Sequence, residues 1–79
     1  MADRGKDSAE LIEFLAKAIV SEPDEVEVDI EDGGDLLELE TADGDRGRVI
    51  GRQGRVAKAL RAILNATADG DGARLDIVD

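Results

Sequence analysis

Residues 47–61 have the sequence GRVIGRQGRVAKALR, and this stretch carries the strongest structural signal in the chain. Two glycines, Gly51 and Gly54, interrupt its helical pattern. Because glycine tolerates positive φ, Gly51 can end a short helix in the left-handed conformation, and Gly54 can let the backbone bend into a second helix. The stretch therefore predicts a short helix from 46 to 50, a tight turn, and a longer helix from about 54 to 67.

Both helices have further support in the sequence. Asp43 or Asp45 is the expected N-cap of the short helix. One stripe of the longer helix holds four large apolar residues and a threonine: Val56, Leu60, Ile63, Leu64 and Thr67. At about 100° per residue, a separate flank holds four polar residues: Arg55, Lys58, Arg61 and Asn65. We expect the stripe to be buried and the flank to remain exposed.

Positive charge is concentrated around the same turn. The chain has 20 acidic and 10 basic residues and a formal net charge of −10. Residues 1–45 hold 16 of the acids, whereas residues 46–61 hold no acid and six bases: Arg46, Arg48, Arg52, Arg55, Lys58 and Arg61. One interpretation is a solvated basic face that pairs with the acidic body, including Asp43 and Asp45. The other is a binding surface for an anion.

The turn between the two helices has the properties of an anion site. The start of a helix offers free N–H groups and the positive end of a dipole. Arg52 and Arg55 add two guanidinium groups, for which phosphate is the best-matched anion. The turn is not a Walker loop, because no Gly-Lys-Ser or Gly-Lys-Thr follows, and no G-x-G-x-x-G fingerprint is present. A G-x-x-G alone also occurs in plain helical corners, so the motif by itself leaves both interpretations open.

A further helix is predicted near the N-terminus, over residues 8–20. Apolar residues recur there at helical spacing and are expected in the core: Leu11, Ile12, Leu15, Ala18 and Ile19. Asp7 or Ser8 is the expected N-cap, and Glu10 completes a capping box with Asp7. Residues 1–7 are expected to form a loose tail.

Three strands complete the predicted fold. Alternating apolar and acidic residues over 26–31 and 37–41 are typical of an antiparallel hairpin with one buried face. Leu75 and Ile77 alternate with polar residues in a last strand. With all helices on the apolar side of the three-stranded sheet, the order α-β-β-α-α-β makes residues 8–79 a single two-layer α+β domain.

Composition excludes several kinds of function. The chain has no Cys and no His, and therefore no thiol nucleophile, thiolate metal site or imidazole acid–base group. No nucleophile or metal-ligand spacing joins its carboxylates. We expect no enzymatic activity, no cofactor and no metal site. Without an apolar run of about 18 residues or an apolar signal sequence, we expect a cytoplasmic protein with no membrane span.

The acidity of the chain has two explanations. Asp outnumbers Glu by 12 to 8, and Arg outnumbers Lys by 7 to 3. Such a composition keeps a protein hydrated in concentrated salt, and it also follows from the codons of a GC-rich genome. The first explanation predicts that the stability of the protein rises with KCl concentration.

The stretch 47–61 resembles the signature of KH domains, which clamp about four nucleotides of a nucleic-acid backbone with a GxxG loop. A helix and a hairpin before the loop and one strand after it are similar to the type II, bacterial-style KH fold. Residues 8–79 as a whole resemble the small single-domain bacterial KH proteins of the KhpA (YlqC-type) family. The resemblance implies an RNA-binding post-transcriptional regulator or RNA chaperone, linked to cell division and cell shape. It also implies a homodimer, or a heterodimer with a larger Jag-type KH protein.

By position in the motif, the resemblance assigns RNA-binding roles to these residues: Arg48, Val49, Ile50, Gly51, Arg52, Gln53, Gly54, Arg55 and Lys58. The loop would clamp the backbone, Val49 and Ile50 would help form an apolar floor for bases, and the basic side chains would contact phosphates. The strand 37–41 would form the other wall of the groove, although Glu38 and Glu40 place acids near it. The alternative is a protein–protein interaction module of KH shape whose acidic surface has ended RNA binding.

Overall fold

The computed structural model describes residues 4–78, in which three α-helices and three strands follow each other in the predicted order. The elements are α1 (Lys6–Ile19), β1 (Glu27–Glu31), β2 (Leu36–Glu40), α2 (Arg46–Ile50), α3 (Arg55–Ala66) and β3 (Arg74–Val78). Short turns join α1 to β1, β1 to β2, β2 to α2 and α2 to α3. None of the helices in residues 4–78 is long and apolar enough to cross a membrane.

The middle strand of the sheet is β2. It pairs antiparallel with β1, as the predicted hairpin requires, and parallel with β3. A parallel pair needs a crossover connection, which α2, the turn after it and α3 supply. Leu37 lies opposite Ile30 and Leu75, whereas Glu38 lies opposite Asp29 and Asp76. Because successive side chains point to opposite faces, one face of the sheet is apolar and the other is largely acidic, with Leu36, Arg74 and Val78 among its acids.

The helices cover the apolar face of the sheet. The core that they share with the strands holds these buried residues: Ala9, Ile12, Ala16, Val26, Leu37, Leu39, Val49, Leu60, Leu64, Ala73 and Leu75. The acidic face is left to solvent, so the domain has one layer of helices and one layer of sheet. The predicted two-layer α+β architecture is confirmed.

The apolar stripes of the helices differ in part from the prediction. Ile12 of α1 points into the core, but Leu11, Ala18 and Ile19 are exposed, as is Ile63 of α3. Phe14, the single aromatic residue of the chain, is 69% exposed. Apolar residues occupy much of the circumference of α1, and periodicity alone does not decide which of them meet the sheet.

The start of α1 is stabilised from a distant part of the chain. The helix begins at Lys6, and its N-cap is Gly5 rather than a residue with a capping side chain. The carboxylate of Asp69, between α3 and β3, accepts hydrogen bonds from the backbone N–H groups of Gly5, Asp7 and Ser8 at 3.0–3.2 Å. The predicted capping box is therefore wrong, because the carboxylate of Asp69, rather than a side chain of the helix itself, binds the free N–H groups.

The segment before α1 is also attached to the domain. Arg4 donates hydrogen bonds to the carboxylate of Asp35 and to the carbonyl of Asp71. The prediction of a loose tail is therefore wrong for residues 4–7. Residues 1–3 of that predicted tail lie outside the described residues.

Candidate nucleic-acid interface

The predicted turn between α2 and α3 is a tight, non-helical turn over Arg52–Gly54. The N–H of Gly54 donates to the carbonyl of Gly51 at 3.0 Å and closes the turn. α2 ends directly before the loop at Ile50, and α3 begins directly after it at Arg55. Because α2 and α3 also pack against each other, both ends of the loop are anchored in the helical layer.

Three residues of the loop have positive φ. Gly51 has φ 76° and ψ 170°, so its φ is positive as predicted but its ψ is extended rather than left-handed helical. A Cβ at Gly51 would lie 2.5 Å from Val56 Cγ2 and 2.8 Å from Val56 N, which leaves no room for a side chain. Gln53 (φ 58°) and Gly54 (φ 75°) are left-handed, and a Cβ at Gly54 would meet no atom within 4 Å. The loop thus requires glycine at 51 for space and at 54 for conformation alone.

The loop and the first turns of α3 form a basic, exposed surface. The structure places four of the predicted site residues there: Arg52, Gln53, Arg55 and Lys58, all of them exposed. Nη2 of Arg55 donates to Oε1 of Gln53 at 3.4 Å, so these two side chains lie beside each other. The first N–H groups of α3, which have no partner within the helix, lie at the same place. Guanidinium, ammonium, amide and backbone donors therefore converge on one small surface.

Val49 and Ile50 have different environments although they are neighbours. Val49 is 0% exposed and belongs to the core, whereas Ile50 is 37% exposed. Val49 cannot touch a base from inside the core, so its predicted place in an apolar floor is wrong. Its side chain instead packs α2 onto the sheet. Ile50 keeps an apolar surface directly before the loop.

Arg48 lies against a buried carboxylate. The side chain of Asp45 is 1% exposed, and its Oδ1 lies 3.2 Å from Nε of Arg48. The same carboxylate accepts hydrogen bonds at 2.8–3.0 Å from the N–H and O–H groups of Ser21 and from the N–H of Glu22. The N–H of Ser21 is the main cause of a lowered pKa of Asp45. The Ser21 hydroxyl, the Glu22 N–H and the charge of Arg48 add to it, whereas burial opposes it.

This arrangement changes two expectations about Asp45 and Arg48. Asp45 makes no side-chain cap for α2 and instead binds the backbone just after α1. The interpretation in which basic residues pair with Asp45 applies to Arg48, but through Nε only, and its side chain remains 59% exposed.

The groove wall predicted over 37–41 lies in β2, the middle strand of the sheet. Leu37 and Leu39 of this strand are fully buried under the helices, so their side chains are not available to line a groove. β3 is the edge strand that contacts α3. Between them lies a cleft of about 250 Å³, called here the α3–β3 cleft, which is lined by Arg61, Asn65, Ala73, Arg74, Leu75 and Asp76.

Arg61 and Asn65 hold the two sides of the α3–β3 cleft together. Nε of Arg61 donates to the carbonyl of Leu75 at 3.1 Å, and Oδ1 of Asn65 accepts from the N–H of Gly72 at 2.9 Å. The sequence placed both residues on the exposed flank of α3 with Lys58 but assigned neither to the site. The sequence feature that could have identified them is their helical spacing from Lys58. This spacing places them on the same flank of α3, which continues the basic surface from the loop to the cleft.

A larger cavity elsewhere is unsuited to nucleic acid. It has a volume of about 550 Å³, and six carboxylates contribute to its lining: Glu22, Asp24, Glu25, Glu27, Glu40 and Asp43. Carboxylates at this density repel phosphates. This cavity is therefore a poor candidate for nucleic-acid binding, whereas the loop and the adjoining flank of α3 are basic and exposed.

The topology and the loop together define a class of protein. A parallel strand pair joined through two helices with a GxxG turn between them, preceded by a helix and an antiparallel strand, is a type II KH domain. The chain belongs to the KhpA/KhpB KH-domain family, whose family model matches residues 9–78.

Curated relatives of the chain cover nearly its whole length. The RNA-binding protein KhpA of Leifsonia xyli is 45% identical over 73 residues, which are 90% of this chain and 96% of that protein. The RNA-binding protein KhpA of Borreliella burgdorferi is 42% identical over 74 residues, 89% of this chain and 90% of that protein. The RNA-binding protein KhpA of Streptomyces coelicolor is 44% identical over 72 residues, 89% of this chain and 90% of that protein. No solved structure matches the chain.

Proposed function

We propose that this protein binds single-stranded RNA by holding the RNA backbone on the loop Gly51–Gly54 and the start of α3. The observation that carries the proposal is the exposed basic loop itself, in a chain whose net charge is −10. A glycine with no room for a side chain holds the loop backbone close to α3, and Arg52 and Arg55 flank the free N–H groups of that helix. The curated relatives named RNA-binding protein KhpA support the same function.

The path of the RNA follows from the distribution of charge. Phosphates are attracted to the loop and then to the flank of α3, where Lys58 and Arg61 continue the positive charge toward the α3–β3 cleft. The acidic face of the sheet repels phosphate and leaves this path as the favourable one. Unpaired bases pack on the exposed surface of Ile50 and enter the cleft, where backbone groups of β3 read their edges.

The affinity of a single domain is expected to be modest. Phe14 is the one aromatic residue of the chain, and it lies on α1 rather than at the loop. Stacking of bases on aromatic rings, worth about 1–3 kcal/mol per base, is therefore missing from the site. A second RNA-binding domain would raise the affinity by avidity.

We propose that this second domain comes from a second copy of the chain or from a larger KH-containing partner. Phe14 and Ile63 expose apolar surface on α1 and α3 that such a contact can bury. In that assembly the protein acts in the cytoplasm as a post-transcriptional regulator or RNA chaperone, and it catalyses no reaction.

Fluorescence anisotropy with a pool of short single-stranded RNAs tests the proposal. The wild type is expected to bind, and Arg52→Asp/Gln53→Asp is expected to lose binding while keeping its circular dichroism spectrum. Lys6→Asp/Ala18→Asp is the matched control, since it changes the net charge by the same amount at exposed positions of α1. If two to four phosphates are bound, the logarithm of the affinity falls with the logarithm of salt concentration with a slope of about −0.7 per contact.

Two outcomes would contradict the proposal. Equal loss of binding in the loop variant and in the α1 control would assign the effect to net charge rather than to the loop. No binding by the wild type at low salt and high protein concentration would favour the protein–protein interaction module instead.

A further inference from the structure

The carboxylate of Asp45 connects the segment directly after α1 with the start of α2. Asp45 is the one buried acid among residues 4–78. Its Oδ1 and Oδ2 accept the N–H groups of Ser21 and Glu22, directly after α1, so the carboxylate cannot rotate freely. The hydroxyl of Ser21 also donates to Oδ1 at 2.8 Å. The result is a fixed negative charge beneath the first turn of α2.

Arg48 uses only one of its nitrogen atoms on this fixed charge. Nε lies 3.2 Å from Oδ1 of Asp45, and the side chain is 59% exposed. An arginine held at Nε still presents the two terminal nitrogens of its planar fork, which match the two oxygens of a phosphate. This ion pair restricts the guanidinium on its Nε side, while more than half of the side chain remains exposed.

We infer that Asp45 is a positioning residue for RNA binding, which acts by orienting Arg48 toward a phosphate of the bound strand. The inference rests on the proposed function and adds to it a residue that no basic-patch argument would select. A free arginine side chain loses rotamer freedom when it binds a ligand, at a cost of about 0.5–1.5 kcal/mol, which corresponds to about two- to tenfold in affinity. An arginine that the protein already holds avoids most of that loss.

The inference predicts the opposite sign to simple electrostatics. Asp45 lies beside a basic surface, so removal of its negative charge would strengthen RNA binding if charge were the only effect. If Asp45 orients Arg48, then Asp45→Asn weakens binding although the protein becomes less acidic. The sign of the change therefore distinguishes the two effects.

The experiment is a double-mutant cycle measured by fluorescence anisotropy with the same RNA pool. Asp45→Asn is expected to weaken binding by about two- to tenfold, and to have no effect when Arg48→Ala is already present. Asp43→Asn is the control, since it removes the same charge from an exposed position of the same loop. It is expected to leave binding unchanged or slightly stronger. An Asp45→Asn protein that binds RNA as tightly as the wild type or more tightly would overturn the inference, as would equal weakening in the presence of Arg48→Ala.

A second measurement needs neither RNA nor an Asp45 variant. The ¹⁵N–¹H heteronuclear NOE of the arginine Nε–Hε group reports its motion on the picosecond-to-nanosecond scale. Nε of Arg48 is expected to be more restricted than Nε of Arg52 in the exposed loop. Equal mobility would overturn the inference even if Asp45→Asn failed to fold. If the wild type binds no RNA, both the proposed function and this inference fail. If the wild type binds RNA and Asp45→Asn binds it with the same affinity, only the inference is overturned.

Discussion

Gly51 shows how a single missing methyl group shapes the loop between α2 and α3. Its backbone runs against Val56, and its φ of 76° with ψ of 170° belongs to a region that glycine alone occupies readily. Gln53 adds a left-handed φ of 58° without being glycine, a strain typical of functional sites. The loop conformation is therefore set by local sterics before any ligand arrives.

Substitution of the two loop glycines is expected to have unequal effects. Gly51→Ala should lower the free energy of unfolding by about 2–4 kcal/mol, because strained φ and overlap with Val56 add together. Gly54→Ala should cost about 1–2 kcal/mol, since its Cβ meets open space and only the left-handed conformation is penalised. Urea unfolding followed by circular dichroism measures both. Equal losses in the two variants would contradict the steric argument.

Asp45 makes the stability of the domain sensitive to acid. The Ser21 N–H, with smaller contributions from the Ser21 hydroxyl, Glu22 and Arg48, lowers the pKa of Asp45 in the folded state below its ordinary value of 3.8. A lowered pKa gives stability that is fully present above the ordinary value and is lost as the pH falls through the folded-state value. In thermal melts between pH 7 and pH 2, the Tm should therefore fall steeply at the acid end of the range, called here the acid limb.

The Asp45→Asn variant is expected to flatten that acid limb and to melt at a lower temperature than the wild type at pH 7. Asp43→Asn, at an exposed position, should retain the wild-type profile. An unchanged acid limb in Asp45→Asn would assign the acid sensitivity to the other carboxylates.

At the scale of elements, α1 depends on a carboxylate outside the helix. Asp69 accepts three backbone N–H groups of its first turn and so replaces the local capping box. The loop that carries Asp69 also forms the end of the α3–β3 cleft, since Gly72 is bonded to Asn65 there. The loop between α3 and β3 thus makes contacts both at the start of α1 and beside the α3–β3 cleft.

Asp69→Ala is expected to destabilise the domain by about 1–2 kcal/mol, the usual cost of a lost N-cap. In a domain of this size that loss lowers the Tm by roughly 5–15 °C in a calorimetric scan. Asp71→Ala is the control in the same loop, since Asp71 bonds Arg4 through its backbone carbonyl and should lose little. Equal Tm values for the two variants would show that the Asp69 bonds contribute no net stability.

At the scale of the whole molecule, the sheet carries like charges in register. Asp29, Glu38 and Asp76 lie opposite one another across all three strands. The carboxylates of Asp29, Glu31 and Glu38 also lie within 4.8 Å of one another. Like charges directly opposite each other in a sheet destabilise it. The acidic face therefore lowers the stability of the fold.

The Tm is consequently expected to rise between low salt and molar KCl, because the Debye length falls to about 3 Å near 1 M salt and repulsion between exposed charges farther apart than this is largely screened. Asp29→Asn/Glu38→Gln should raise the Tm at low salt and reduce its dependence on KCl. Glu10→Gln/Glu25→Gln removes the same charge from exposed positions off the sheet and should do so less. A Tm that is independent of KCl in the wild type would refute salt-stabilisation of this fold.

Local patterns in the sequence determined the elements and their order. Helical periodicity located α1 and α3, two-residue alternation located the strands, and the glycine pair located the turn between α2 and α3. The concentration of bases over 46–61 predicted the exposed basic surface. Each of these signals arises among residues within a few positions of one another, where side-chain spacing is a direct consequence of backbone geometry.

The tertiary structure alone decided which partners distant residues find. Asp69 meets the start of α1 from 62 positions away, and Asp45 meets Ser21 from 24 positions away. The parallel pairing of β2 with β3 places β2 in the middle of the sheet and makes β3 an edge strand. Burial of Val49 follows from the same packing. Spacing along the chain does not predict such contacts. They depend on how the layers pack and on which buried polar groups need a hydrogen-bond partner.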